Sequence, residues 1–358
     1  MKKVALTTKN NYNTIQKFKI EEAYVMKKIA KALVVVGLVA SMAIGMIGCG
    51  SKPVDGSQVV ATVGEKEMTL GEANFLLRYQ QVQTETYYES MLGEGIYNMD
   101  LYGTGSTYGA DFKADVMRQM QEYYVIEEKA ADYGVALTEE DTAAIAEAAK
   151  AFVEANEAAT LEQMTADQAT VEKVLTLMTL RSKVAAAVKA EADVTVTDEE
   201  AAQRGFSYIT IAKGSGEEAL TEEEIQENKD KLTAVIASVK SGNTIEGAAV
   251  EQGLTAYTGN YGEGTDTYYD AELITAMDAI KEGDVTEIVE TDAQLYLAQV
   301  TAEVDEEATA NRKETLLTTA QTEYFNNLLE TWVADYPLTV VDSVWEQVVF
   351  DRSYEMAQ

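Results

Sequence analysis

Apolar positions fall into three stretches along this chain: a nearly unbroken run, a long block at helical spacing, and a region where alternation and helical spacing are interleaved. In the block, Val59-Val60-Ala61-Thr62-Val63 reads as a strand with Gly64-Glu65-Lys66 as its turn. Thr69 followed by Glu72 has the form of a capping box, opening a helix through Leu76, Leu77 and Tyr79. Val116, Met120 and Tyr124 recur every fourth residue on a helix expected to end near Tyr133-Gly134. Thr138-Glu139-Glu140-Asp141 caps an Ala-rich helix to about Asn156, and residues 160–190 predict another with Val171, Val174, Leu175 and Met178 on one face. Such stripes are core faces. Residues 59–192 thus predict a helical domain opened by one strand.

The pattern changes at Val194-Thr195-Val196-Thr197. Phe206-Ser207-Tyr208-Ile209-Thr210-Ile211 alternates as a strand does, and a helix follows with Ile225, Leu232, Ile236 and Val239 inward. A Gly-rich segment from Tyr257 to Thr267 leads to a short helix around Ala271–Ile280. Gly283-Asp284 turns the chain toward Thr286–Val289, and Gln294 to Val300 reads as the last strand. Residues 204–303 therefore predict a small α+β domain. A final helix, Asp305 to about Ala334, carries Leu317, Ala320, Tyr324, Leu328 and Trp332 as one stripe; Pro337 ends it and Leu338–Val341 is extended. That stripe needs a partner, so residues 304–350 are expected to return to the helical domain. The fold class is α+β.

The unbroken run lies from about Ile29 to Ile47, behind Lys27-Lys28, and closes on Met46-Ile47-Gly48-Cys49. A basic start, an apolar stretch and small residues before a cut describe an export signal. The Gly48-Cys49 junction resembles a bacterial lipobox, which assigns the lipid to Cys49, the one cysteine of the chain. The competing reading is a transmembrane anchor, because roughly 20 apolar residues span a bilayer. Residues 1–25 are polar and carry Glu21 and Glu22, so translation is expected to begin at Met26; the alternative is a long basic region. Residues 1–48 form the signal and 49–58 a tether, placing the chain on the outer face of the cytoplasmic membrane.

Charge and composition exclude several functions. The 358 residues hold 28 basic and 61 acidic side chains, a net charge of −33. Residues 1–48 take eight lysines and two glutamates from that total, leaving 20 basic and 59 acidic side chains. Nucleic-acid binding needs basic patches and is not expected. The chain has no histidine, which removes Ser-His-Asp and Cys-His catalysis and imidazole zinc sites. No calcium-loop or phosphate-loop pattern is found, and no metal or cofactor is expected.

The residues from Val59 onward resemble the parvulin-type foldase lipoproteins of Gram-positive bacteria, the PrsA group, related to the periplasmic chaperone SurA. Val59 to Glu65, Phe112-Lys113-Ala114-Asp115, Glu128-Lys129-Ala130 and Gly134 to Glu140 are similar to their helical domain. Ser207-Tyr208-Ile209 falls where parvulins have Ser-His-Ile. Lys240 to Ile245 resembles their Gly-x-x-Phe helix end, and Gly259-Asn260-Tyr261-Gly262 their Gly-Asp-Leu-Gly turn. Ala279 to Val285 resembles Ala-Leu-Lys-x-Gly-x-Ile, and Gln294 to Leu297 lies where Gly-Tyr-His-Ile is expected.

The resemblance implies a degenerate pocket. Both parvulin histidine positions hold tyrosine, Tyr208 and Tyr296; Tyr269 stands at the Met position, Leu273 at the Phe position, and Thr255 at or beside the Asp/Cys position. It also implies unfolded exported polypeptides, prolyl segments among them, as partners. Prolyl isomerisation lowers a rotational barrier of about 18–20 kcal/mol without covalent chemistry, so losing the histidines weakens the case for catalysis without removing it. Three functions compete: a foldase and chaperone with weak or absent isomerase activity, an active isomerase with a tyrosine-substituted site, and a solute-binding or wall-associated lipoprotein. The last predicts strand–helix alternation across two lobes.

Overall fold

The computed structural model describes residues 42–47, 50–92, 95–216 and 219–356, with side chains except at 47 and 86–92. Met26 and Cys49, on which the expected start and lipid attachment fall, lie outside the described residues. In chain order the elements are β1 (Ile44–Ile47), β2 (Val59–Val63), β3 (Lys66–Thr69), α1 (Leu70–Leu92), α2 (Tyr108–Lys129), α3 (Glu139–Ala155), α4 (Ala158–Met164) and α5 (Gln168–Glu191). Next come α6 (Asp198–Ala201), β4 (Arg204–Ala212), α7 (Glu222–Lys240), α8 (Ile245–Glu251), β5 (Tyr257–Tyr261), α9 (Ala271–Asp278), β6 (Val289–Glu290) and β7 (Gln294–Ala302). The chain closes with α10 (Glu306–Asp335), β8 (Leu338–Val340), α11 (Asp342–Trp345) and β9 (Ser353–Met356). It divides into two compact units, residues 1–192 with 323–358, and residues 193–322. The fold is α+β: a mainly helical unit interrupted in sequence by a small α+β unit.

In the helical unit the caps form where the sequence places them. The Thr69 amide donates to Glu72 (3.0 Å) and the Glu72 amide to the Thr69 hydroxyl (3.3 Å), satisfying two donors at the start of α1. Thr138 and Asp141 make the same reciprocal pair on α3, with Lys183 bonded to the Asp141 carboxylate. Gly134 ends the turn after α2 at φ 62°, a left-handed position that costs glycine little. Residues 160–190 are not one helix. Thr165 turns left-handed at φ 53° and Asp167 caps a new start, which separates α4 from α5. The core joins Phe75, Leu76, Met120, Phe152, Val174 and Leu175.

The sheets of this unit bring distant segments together. β2 lies between β3 and β8, antiparallel to both, so the extended segment after Pro337 pairs with the opening strand. A second, two-stranded sheet pairs β1 with β9. No described helix is long and apolar enough to cross a membrane.

The small unit is one antiparallel sheet in the order β5-β4-β7-β6. Alternation sends successive side chains to opposite faces. Ile209, Leu295 and Leu297 pack with Leu232, Val235 and Ile236 of α7 and Ile245 of α8. Phe206, Ala298 and Val300 pack with Leu273 and Met277 of α9.

The final helix departs from expectation in two ways. The division between units falls inside α10, after Thr322, rather than at its start. Its first turns are bonded to the small unit: the Asp305 amide donates to the Gln203 carbonyl (2.7 Å), the Gln203 amide to the Thr309 hydroxyl (3.0 Å), and Lys313 pairs with Asp198 (2.5 Å). The buried face is Phe325, Leu329 and Trp332, whereas Tyr324 is 43% exposed. Trp332 is common to both stripes and Leu328 packs partly buried on the core, whereas Phe325 takes the buried position expected of Tyr324, which leaves a phenol hydroxyl in water.

Candidate functional site

Alternation along β4 puts Phe206, Tyr208 and Thr210 on the α9 face of the small unit's sheet. Strand register brings tyrosines to them from both sides: Tyr208 opposes Tyr257 on β5, and Thr210 opposes Tyr296 on β7. The Tyr208 and Tyr257 ring centroids are 5.8 Å apart. Tyr269, in the segment entering α9, stands edge-on to Phe206 at 5.0 Å and to Tyr208 at 6.0 Å, both at 79°. These are favourable edge-to-face contacts. Gly259 makes room for this arrangement, since a Cβ there would lie 2.6 Å from the Tyr269 hydroxyl and 2.9 Å from Cζ of Phe206.

The structure therefore gathers Tyr208, Tyr269 and Tyr296 around one sheet face, half-buried, with Tyr257 50% exposed at its rim. Leu273 belongs beneath them: it is fully buried in the core with Met277, and so supports the face rather than lining it. Thr255 is exposed on the connection between α8 and β5, between Leu254 and Ala256, which pack on the opposite face. Phe206, Tyr257, Tyr261 and Asp270 complete the surroundings and were not singled out by sequence. Phe206 was readable, standing two residues before Tyr208 on the same strand. Tyr257 and Tyr261 were hidden because Gly259 and Asn260 make their strand look like a loop.

The hydroxyls of this face are donors. Burial raises the Tyr269 phenol, and the neighbouring Tyr208 adds to the shift. Burial also raises Tyr296, and the Asp270 carboxylate adds to the shift. Tyr261, raised to about 12 by burial and by its bond to Asp278 (2.9 Å), accepts a hydrogen bond from Arg204 (2.8 Å). Arg204 also reaches the carbonyls of Met277 (3.0 Å) and Ile280 (2.8 Å) and pairs with Glu303 (3.0 Å), tying the end of α9 to the sheet. Protonated phenols offer apolar faces and hydrogen-bond donors, but neither a general base nor a nucleophile at neutral pH. Among the described residues, no group of three or more His, Cys, Asp or Glu side chains is placed to hold a metal ion.

The helical unit has an open cleft of about 840 Å³ lined by Pro53, Val54, Leu161, Thr165, Asp167 and Thr170. It lies apart in sequence and chemistry from the tyrosines, and its polar groups are engaged in caps: the Thr170 amide donates to Asp167 (3.0 Å), and the Thr165 hydroxyl donates to the Gly71 carbonyl (2.9 Å).

No protein-family model matches the chain. No curated protein matches it. Among solved structures, it is similar to the foldase protein PrsA from Lactococcus lactis, at 11% identity over 81% of this chain and 99% of that one, with a TM-score of 0.34. It is similar to a peptidylprolyl isomerase, PrsA, from Bacillus cereus, at 14% identity over 81% and 96%, TM-score 0.31. A third similar structure comes from work on PEB4 and Cj1289, SurA-like chaperones of Campylobacter jejuni, at 8% identity over 79% and 99%, TM-score 0.28.

Proposed function

We propose that this chain is a foldase and chaperone for exported polypeptides, held on the outer face of the cytoplasmic membrane by lipid on Cys49, with weak or absent prolyl isomerase activity. The observation that carries the reading is the sheet face formed by Tyr208, Tyr257, Tyr269 and Tyr296. Half-buried aromatic rings give an apolar or prolyl side chain a surface to pack on, and the phenol hydroxyls can donate to a peptide carbonyl. Three of the four, Tyr208, Tyr269 and Tyr296, are residues that the parvulin resemblance assigns to the pocket. The same residues weigh against efficient catalysis. An isomerase must stabilise a twisted amide with preorganised polar groups, and burial and the nearby Asp270 carboxylate push the Tyr296 phenol further from ionisation.

A solute-binding lipoprotein is disfavoured by topology. Its two lobes would need parallel strand–helix alternation, whereas every strand pair among the described residues is antiparallel.

Titration of the processed chain with an Ala-Pro peptide, followed by NMR line shapes of the peptide, tests the binding site. Saturable binding that Tyr269→Ala weakens at least severalfold is the expected result. Absence of any prolyl-peptide binding at millimolar concentration would remove the site from this reading.

A further inference from the structure

The segment seated on β9 is one that the export-signal reading removes. β1 pairs with β9 in the register Ile44–Met356, Gly45–Glu355, Met46–Tyr354 and Ile47–Ser353. Met42 and Ile44 are buried in the core of the helical unit, at 9% and 5% exposure. On its other side the Asn156 amide holds the segment's backbone, accepting from the Ile44 amide (2.7 Å) and donating to the Met42 carbonyl (2.9 Å). β9 itself is fixed independently of β1. The Tyr354 amide donates to Glu85 (2.6 Å), and Arg78 lies 5.6 Å from the Tyr354 ring centroid.

A cut between Gly48 and Cys49 takes away residues 42–47 and leaves three things bare. They are the apolar seat of Met42 and Ile44, the Asn156 amide oxygen with one of its two N–H donors (the nitrogen keeps its bond to the Phe152 carbonyl, 2.7 Å), and the ladder groups of β9, whose one strand partner among the described residues is β1. Unpaired ladder groups beside an apolar seat are a template for another strand. We propose that in the processed protein this position is a strand-acceptor site for an extended apolar segment of an unfolded polypeptide. The inference rests on the export-signal reading and is independent of the tyrosine face.

The chemistry of the seat selects a peptide. The Asn156 amide and the β9 ladder groups are donors and acceptors spaced for a main chain, which an acyl chain leaves unsatisfied at a cost. The occupant seen in the structure defines the preference: about four residues, an apolar side chain at the Ile44 position, and no charge there. The site also adjoins the tether. The Ser51 amide donates to Asp351 (2.5 Å) and Arg352 donates to the Ser51 carbonyl (2.5 Å), two residues beyond the expected lipid. An emerging exported segment would thus meet it close to the membrane. In the uncut precursor the chain fills its own site, at an effective concentration no free peptide matches.

The test uses a fluorescent peptide spanning residues 41–48, with anisotropy read against the processed chain purified from membranes and against the Cys49→Ala precursor, in the same detergent. Mass spectrometry first establishes the N-terminus of each. The expected result is saturable binding to the processed chain, at least tenfold weaker binding to the precursor, and at least tenfold weaker binding of an Ile44→Asp peptide. Asn156→Ala in the processed chain should weaken binding roughly fivefold, the loss of about one net hydrogen bond. The Ile44→Asp peptide keeps the test decisive if that variant fails to fold. Equal binding to both forms, no binding to the processed chain, or a mature membrane-bound chain that retains residues 42–47 would overturn the proposal. If it fails while Ala-Pro peptide binding persists, the foldase reading stands without this site.

Discussion

Tyr208 and Tyr269 meet edge to face, ring centroids 6.0 Å apart at 79°, although 61 positions separate them in the chain. The contact joins the central part of the small unit's sheet to the segment that leads into α9. It predicts that Tyr269→Ala loosens the rim of the tyrosine face and weakens prolyl-peptide binding, while the small unit keeps its melting transition within about 1–2 kcal/mol. Leu273→Ala should behave oppositely. It empties a fully buried position and should cost about 2–5 kcal/mol in stability, with any loss of binding following from unfolding. Calorimetry and peptide titration on both variants separate the two outcomes.

Tyr208→Phe and Tyr296→Phe remove hydroxyls but keep rings. Prolyl exchange measured by NMR should be slow for the unaltered chain and nearly unchanged in the double variant. A fast exchange abolished by Tyr208→Phe alone would instead make that tyrosine catalytic.

The Asp141 carboxyl gives the helical unit an acid-sensitive element. Burial pushes it up, but hydrogen bonds from Lys183 and from the Thr138 amide and hydroxyl outweigh that and hold it below the ordinary 3.8. A depressed folded value stabilises fully above the unfolded value and is lost as pH falls through the folded one. Denaturant unfolding should therefore show a stability loss below about pH 4. In Asp141→Asn that loss should be smaller, after a cost of about 1–2 kcal/mol at pH 7 from the weakened cap.

Trp332 packs 5.3 Å from the Tyr133 ring within the helical unit's core. Trp332→Ala should cost that unit about 3–5 kcal/mol and leave the transition of residues 193–322 in place. A fragment of residues 193–322 should fold, whereas one ending at 303 loses the hydrogen bonds of Asp305 and Thr309 and should be less stable. Two-transition thermal unfolding checks both.

Cys49→Ala should leave an uncleaved precursor or release the chain from the membrane. An unmodified Cys49 in the mature membrane-bound protein would contradict the anchor.

Local signals in the sequence carried much of this architecture. The caps at Thr69 and Thr138 were legible because a hydroxyl and a carboxylate three residues apart satisfy the same backbone donors wherever they occur. The strand through Tyr208 was legible from its alternation. What stayed hidden was long-range or backbone-driven. β3 looked like turn and cap residues, β5 was masked by Gly259 and Asn260, and the break at Thr165 needed a left-handed threonine that propensity does not anticipate. The pairing of β1 with β9 joins segments some 300 residues apart, and no local pattern announces it. Of the candidate site, Tyr208, Tyr269 and Tyr296 came from the resemblance. That Leu273 lies beneath them and Tyr257 at their rim required the sheet register.

Chaperone activity is tested most directly by aggregation of a chemically unfolded client, followed by light scattering as processed protein is added. Suppression is expected at roughly stoichiometric ratios, through burial of the client's exposed apolar surface, with equal suppression by the Tyr208→Phe, Tyr296→Phe double variant. Unchanged aggregation at a severalfold excess of the protein would contradict it.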